Sequence, residues 1–345
     1  MFFDFFKDNH TPDLYVDLGT ANTLIVARDQ GLIINEPSLI AYIETRPGKR
    51  NVVGVGNEAK EKLARTPGSL IGQRPLKEGV IADFDTTENM LRCFLNRPEI
   101  RKISSRPRII ISLPYGVTEV EKKAAIKAGK SAGAKDVYFI DEPMAAAIGA
   151  GLPIQDPRGN MIVDIGGGTT EVAIIALSDI VFCKAVRVGG HKIDESIIEY
   201  FKRKKNLIIS QETAERLKMK IGTACGKKDI MTMEITGRDT GSGLMRTYEA
   251  SSEEVSEGMD DCVKEIVNAI HATLEQTPPE LIADIIENGI VLAGGGALIR
   301  DFATRIQNEV QLNVRVAENP LTTIARGGQE ILKNPDLFDK VQLEI

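Results

Sequence analysis

Asp17-Leu-Gly-Thr-Ala-Asn-Thr23 and Asp164-Ile-Gly-Gly-Gly-Thr-Thr170 decide the fold of this chain. Each stretch reads as the end of a strand, an Asp, one further residue, a Gly, three small residues and a Thr that starts the next strand. The two lie 147 positions apart, from residue 17 to residue 164. That spacing is about one domain length. A motif repeated at that distance predicts two related lobes, each offering one loop.

The surrounding pattern extends this reading. Apolar β-rich runs at Leu14–Leu18 and Thr23–Ala27 flank the first loop. Runs at Met161–Ile165 and Glu171–Leu177 flank the second. Arg108–Leu113 reads as a buried strand ended by Pro114, Val137–Ile140 as another, and Ile290–Ala293 as a third. Helical stretches alternate with them. Thr118 and Glu121 form a capping box, as do Ser251 and Glu254. Pro143 opens an alanine-rich helix, where its missing N–H costs nothing. Val255, Met259, Val263, Ile266, Val267, Ile270 and Leu274 recur at helical spacing before Pro278 stops the run. Strands alternating with helices predict an α/β protein. The lobe boundary is expected near Gly151–Gly159, with the first lobe at 1–150 and the second at 151–328. The tail at 329–345 is assigned to the first lobe.

Bulk composition excludes several function classes. The chain has 345 residues, 42% hydrophobic and 27% charged, enough for two cored domains. A net charge of −6 leaves no basic footprint for nucleic acid. Lys202-Arg203-Lys204-Lys205 reads as a solvated helix end. Cys93, Cys183, Cys225 and Cys262 include no C-x-x-C pair, and His10, His191 and His271 are scattered. Zinc sites and disulfide frameworks are therefore not expected, and a reducing compartment suits the thiols. No apolar run reaches the roughly 20 residues of a spanning helix, and the N-terminus lacks a secretory signal. A cytoplasmic protein is expected.

The paired loops suit phosphate. Small residues let successive backbone N–H groups approach an anion, and Thr20, Asn22, Thr23, Thr169 and Thr170 add side-chain donors. Asp17 and Asp164 would repel phosphate unless a divalent cation lay between them. Mg²⁺, which keeps several waters and uses one or two carboxylates, resolves that conflict. Mg²⁺ is therefore expected near both aspartates, through water. Either loop alone would serve equally as an ordinary hairpin turn; the matched pair argues for phosphate. Gly294-Gly295-Gly296, after a strand, lets backbone lie against a flat ring or a phosphate. Glu142, at a strand end just before Pro143, is the candidate for orienting a water. By itself it would pass as a favourable charge at a helix N-terminus.

These residues resemble the actin, Hsp70 and sugar kinase superfamily and, most closely, its bacterial actin branch, the MreB family. The stretches that carry the resemblance span nearly the whole chain: DLGTANT from Asp17, RPLKEGVIADFD from Arg74, EPMAAAIGAGLP from Glu142, VDIGGGTTEVA from Val163, TAERLKMKIG from Thr213, LAGGGALI from Leu292 and PLTTIARGG from Pro320. The resemblance implies an actin-like ATPase fold, with two RNase H-like lobes and four subdomains around a nucleotide cleft. Small insertion subdomains would lie at about 32–77 and 188–252. It implies phosphate contacts from Gly19, Thr20, Ala21 and Asn22 on one lobe and from Gly166, Gly167, Gly168 and Thr169 on the other. Glu142 and Thr169 would position the attacking water. Glu215, Arg216, Leu217 and Lys218 would border the adenosine, with Gly294, Gly295, Gly296, Ala297 and Leu298 completing that pocket. Glu215 and Lys218 share a helix face at i, i+3. One departure stands out: an acidic residue usually follows the pair Gly189-Gly190 in the family, and here it is His191.

The resemblance further implies an ATP-dependent polymerising protein and a slow ATPase. It would form membrane-associated filaments, set rod shape by organising cell-wall synthesis, and meet elongation proteins such as RodZ and MreC. Its expected place is the cytoplasm, peripherally on the inner surface of the cytoplasmic membrane. Phe2, Phe3, Phe5 and Phe6 project onto about 160° of one helical face, opposite Asp4, Lys7 and Asp8. Such a segment can lie in a bilayer interface, each Phe contributing roughly 1.5–3 kcal/mol and many copies binding by avidity. Leu91, Phe94 and Leu95 form a second candidate insertion point. A small-molecule kinase on the same scaffold would need a substrate-facing base, which no further Asp motif supplies. An Hsp70-like chaperone would need a long peptide-binding region beyond the ATPase lobes.

Overall fold

A computed structural model describes residues 11–46, 49–66, 68–77, 79–226 and 230–343. The chain divides into two units, Met1–Leu152 with Thr322–Ile345, and Pro153–Leu321.

The first unit is built on a five-stranded sheet of β1 (Leu14–Leu18), β2 (Asn22–Ala27), β3 (Gly31–Pro37), β4 (Ile109–Leu113) and β5 (Val137–Asp141). Their order is β5-β4-β1-β2-β3. β4 pairs parallel with β1 and β5, whereas β1, β2 and β3 form an antiparallel meander. The second unit repeats this with β6 (Asn160–Ile165), β7 (Thr170–Ala176), β8 (Asp179–Val186), β9 (Ile290–Ala293) and β10 (Val314–Val316), in the order β10-β9-β6-β7-β8. The same pairs are parallel and the same pairs antiparallel. Every residue of β1 and of β6 is buried. That explains why both read as continuous apolar runs rather than as alternation: helices cover both faces.

Period-two alternation separates those faces in the first unit. Leu14, Val16 and Leu18 point into one core with Met90, Leu91, Phe94, Ala125 and Ala128 from the helices Phe84–Leu95 and Glu119–Ala132. Tyr15 points the other way, against the helix Thr323–Lys333. A Cβ on Gly328 would lie 2.2 Å from its ring. That helix also crosses Glu142–Gly149 with backbones nearly touching. A Cβ on Gly149 would lie 1.8 Å from the Thr323 carbonyl oxygen, and one on Gly327 1.9 Å from that of Ala145.

This crossing corrects the expected boundary. Residues 322–328 belong to the first unit, because the helix that holds them is packed on Glu142–Gly149 and β1. The second unit's core joins Met161, Val163, Ile165 and Val172 to Ile193, Ile197 and Phe201 of the helix Gly190–Lys205. Val255, Met259, Val263 and Ile266 of the helix Ser252–Gln276 complete it.

Each unit carries a small three-stranded sheet. In the first, Ile40–Arg46 lies between Lys49–Val55 and Ile71–Gln73, beside the helix Asn57–Arg65. In the second, Thr232–Asp239 lies between Leu207–Ile208 and Met245–Ser251. Both capping boxes are formed, at Thr118/Glu121 and Ser251/Glu254. The tetrad Lys202–Lys205 occupies the last turn of its helix, as read from the sequence.

Leu91 and Phe94 are 0% exposed and Leu95 is 3% exposed, all in the first unit's core. They are therefore not an insertion point. Their helix is amphipathic, and these residues are its core face. Phe2, Phe3, Phe5 and Phe6 lie outside the described residues.

Candidate functional site

The two Asp-Gly loops occupy equivalent places. In the first unit Leu18 pairs with Thr23 and Asp17 with Leu24. In the second Ile165 pairs with Thr170 and Asp164 with Glu171. The offset that separates the motifs in sequence is thus preserved in the strand register. In each copy four residues separate the last paired residues of the hairpin, at one end of the sheet and next to the C-terminal end of the parallel strand beside it. Open α/β sheets bind ligands at such ends.

In the first unit the backbone of the loop is gripped from outside. Ser38 Oγ donates to the Gly19 carbonyl at 2.5 Å, and the Ser38 N–H donates to the Ala21 carbonyl at 2.9 Å. Arg74 donates to the Ala21 carbonyl at 3.3 Å, and the Gly79 N–H donates to Thr20 Oγ1 at 3.0 Å. The Thr20 hydroxyl therefore accepts from Gly79 and keeps its own hydrogen to donate. Gly19 has no room for a side chain, since a Cβ would lie 2.6 Å from the Asn22 carbonyl oxygen. Asp17 is buried at the end of β1 and Asn22 is exposed. Glu142 is buried in the first turn of its helix, following Asp141 at the end of β5. A carboxylate there meets the positive end of the helix dipole.

In the second unit Gly166 closes the loop by donating to the Thr169 carbonyl at 2.9 Å. The Gly167 and Gly168 N–H groups make no hydrogen bond among the described residues. They are the donors an anion would meet. The carbonyls of Gly166 and Gly167 instead accept from the Gly190 and His191 N–H groups, each at 2.9 Å. His191 thus supplies its backbone N–H to the rear of the loop.

Asp164 is 5% exposed, and its Oδ1 has no hydrogen-bond partner among the described residues. Burial pushes its carboxyl up to about 6. A buried carboxylate oxygen left without a donor is costly, and a cation or its bound water removes that cost. The donor set fits Mg²⁺ on this observation: hard carboxylate oxygens, one orphaned, beside free backbone N–H groups for phosphate. Gly294 adjoins it at φ +77°, where a Cβ would lie 2.3 Å from the Ile165 carbonyl oxygen and 2.8 Å from Asp164 Oδ1. Gly295–Leu298 continues as a 3₁₀ turn, with Gly295 and Leu298 exposed and Gly296 and Ala297 buried.

The helix Gln211–Ile221 presents Glu215 and Arg216 to solvent. Leu217 is 0% exposed within the core, so its side chain does not border a nucleoside; this corrects the expectation for that residue. Lys218 is held by Asp194, with Nζ to Oδ1 at 2.7 Å, and donates to the Gly190 carbonyl at 2.9 Å.

Sequence reading missed Ser38, Gly79 and Asp194. Gly79 lies in the RPLKEG stretch, whose motif character was visible but not its use. Asp194 had a signal: it is an acid beside Ile193 on the face that also carries Ile197 and Phe201. Nothing marked Ser38.

A duplicated α/β sheet with one Asp-Gly loop at the same register in each copy defines an actin-like protein. The chain belongs to the MreB/Mbl family, whose model matches residues 11–340. It is similar to the cell shape-determining protein MreB of Escherichia coli K12, 45% identical over 334 residues and covering 96% of each chain. It is similar also to the cell shape-determining protein Mbl of Bacillus subtilis 168, 44% identical over 331 residues, 96% of this chain and 98% of that one. A crystal structure of MreB5 of Spiroplasma citri bound to AMPPNP superposes with TM-score 0.89 at 35% identity, covering 96% and 99% of the two chains. The same protein bound to ADP gives 0.87. A MamK double helical filament, 21% identical, shares the fold with TM-score 0.76. None of the described helices is long and apolar enough to cross a membrane.

Proposed function

We propose that this chain is an ATP-dependent bacterial actin that polymerises into membrane-associated filaments and determines cell shape by organising cell-wall synthesis. The observation that carries the reading is the matched pair of loops. One of them pairs Gly167 and Gly168 N–H groups, unbonded among the described residues, with the orphaned Oδ1 of Asp164. Relatives named for cell-shape determination and a homologue crystallised with ADP and with AMPPNP support it.

In this reading Gly19, Thr20, Ala21, Asn22, Gly166, Gly167, Gly168 and Thr169 contact phosphate. Asp17 and Asp164 hold Mg²⁺ through water. The bound ion supplies charge neutralisation for the phosphates. Glu142 and Thr169 orient the attacking water, whose proton Glu142 accepts. Hydrolysis is slow and times assembly. The exposed Gly295 and Leu298, with Glu215 and Arg216, are the groups available to a nucleoside. The protein's place is the inner face of the cytoplasmic membrane, bound through Phe2, Phe3, Phe5 and Phe6, with partners of the RodZ and MreC kind.

Electron microscopy of the purified protein with Mg-ATP on a lipid monolayer, beside a sample lacking residues 1–9, tests this. Ordered filaments on lipid, lost on truncation, are expected. Single particles under every condition, with ATP still bound, would sink the filament reading and bring the small-molecule kinase forward.

A further inference from the structure

Ser38 is fully buried in the first unit and touches the Asp-Gly loop there from Gly19 to Thr23. Its Oγ donates to the Gly19 carbonyl at 2.5 Å, and its N–H donates to the Ala21 carbonyl at 2.9 Å. A serine hydroxyl has one hydrogen to give. With that hydrogen on Gly19, the Ser38 Oγ accepts from Thr23 Oγ1, which is 2.9 Å away and also fully buried. Two loop carbonyls are thus drawn to one side. In a trans peptide unit the C=O and the following N–H point in opposite directions. Tying the Gly19 and Ala21 carbonyls to Ser38 therefore turns the Thr20 and Asn22 N–H groups away from it. The Thr20 N–H makes no hydrogen bond among the described residues.

Ser38 is held in turn by the chain just before it. Glu36, near the end of β3, takes both arms of the Arg97 guanidinium, with Nη2 to Oε2 at 2.9 Å. The Asn57 N–H, at the start of the helix Asn57–Arg65, donates to the same Oε2 at 3.0 Å. The hydrogen bonds from Arg97 hold the Glu36 carboxyl below the usual carboxylate range, so the pair stays charged at neutral pH. Gly56 leaves room for this carboxylate: at φ +61° a Cβ there would lie 2.1 Å from Glu36 Oε2.

We infer that Ser38 is a positioning residue for the phosphate loop of the first unit, Gly19–Asn22, and that Glu36 and Arg97 brace it. Thr23, whose hydrogen goes to Ser38, belongs to this brace and not to the groups that meet phosphate. The brace aims loop N–H groups. It therefore acts on the binding of phosphate-bearing ligands and is indifferent to base and sugar. The inference rests on the nucleotide reading above and adds to it residues that touch no ligand.

The test compares affinities for ATP, ADP and adenosine, each with Mg²⁺, in the wild-type chain, Ser38→Ala, Ser38→Cys and Arg97→Met. Titration calorimetry reads the affinities, with competition for weak binding. The thermal midpoint of each nucleotide-free chain shows any purely structural loss. Ser38→Ala is expected to weaken ATP and ADP roughly 10- to 100-fold, the range outer-shell partners carry at metal sites. Adenosine should stay within about two-fold, because the loop alone is disturbed. Ser38→Cys fills nearly the same space with a weak donor and should lose as much. It decides the matter if the Ala variant does not fold. Arg97→Met frees Glu36 and should lower ATP affinity by about three-fold or more while sparing adenosine. Equal losses for ATP and adenosine at Ser38, or a lower thermal midpoint with ATP affinity unchanged, would overturn the inference. Wild-type ATP affinity in Arg97→Met would overturn the bracing role of Glu36 and Arg97. A wild-type chain that binds neither ATP nor ADP would instead refute the nucleotide reading.

Discussion

Replacing Asp164 by Asn should stabilise the nucleotide-free protein at neutral and alkaline pH. Burial pushes the Asp164 carboxyl from 3.8 up to about 6. A carboxyl raised in the folded state binds its proton more tightly there than in the unfolded chain. Its contribution is fully favourable below about pH 4 and is lost as pH rises through about 6. A two-unit shift corresponds to a loss on the order of 3 kcal/mol by pH 8, of which about half develops between pH 5 and pH 8. Asn has the same shape and no charge, so it does not pay this cost. Urea unfolding of nucleotide-free wild type and Asp164→Asn, at steps from pH 5 to pH 8, measures the difference. Circular dichroism is the probe, since the chain has no tryptophan. The variant's advantage should widen with pH and level off near pH 8. Added Mg-ATP should then reverse the order, because the variant has lost one of the two carboxylates offered to the cation. An advantage that does not change with pH, or a wild type that is the more stable at pH 8 without ligand, would refute the reasoning.

Glu142→Gln keeps the shape of a buried first-turn side chain and removes its charge. Phosphate release should fall by roughly 10²- to 10⁴-fold, with ATP affinity within a few-fold of wild type; undiminished release would remove Glu142 from the chemistry. Gly327→Ala places a methyl 1.9 Å from the Ala145 carbonyl oxygen, where two helix backbones meet and no side chain can move aside. A destabilisation above about 3 kcal/mol is expected from that overpacking, and an unchanged thermal midpoint would show that the helices separate freely.

Much of the fold was legible because local rules agreed with the final structure. The two Asp-Gly loops fall between β1 and β2 and between β6 and β7, where small residues and turn chemistry placed them. The capping boxes at Thr118 and Ser251 open the helices they were expected to open. Pro143 stands in the first turn of Glu142–Gly149. Errors arose where a sequence-local signal has two tertiary outcomes. Leu91, Phe94 and Leu95 form an apolar helix face, which suits a membrane and a protein core equally, and only the packed sheet shows which it meets. Residues 322–328 follow the second unit in sequence, yet backbone contact across Gly149 and Gly327 carries them into the first.

The sequence by itself determined the duplication, the α/β class, the place of the two Asp-Gly loops and the family. These depend on residue type at fixed short spacing, and the strand register keeps the spacing between the two copies. Tertiary structure alone decided that Asp164 Oδ1 is buried without a donor among the described residues, that Ser38 and Gly79 grip the first loop, and that Lys218 is held by Asp194. Ser38 lies 19 residues from Gly19, and Lys218 lies 28 from Gly190. Contacts at such separations follow from how sheets and helices pack, and no local periodicity records them.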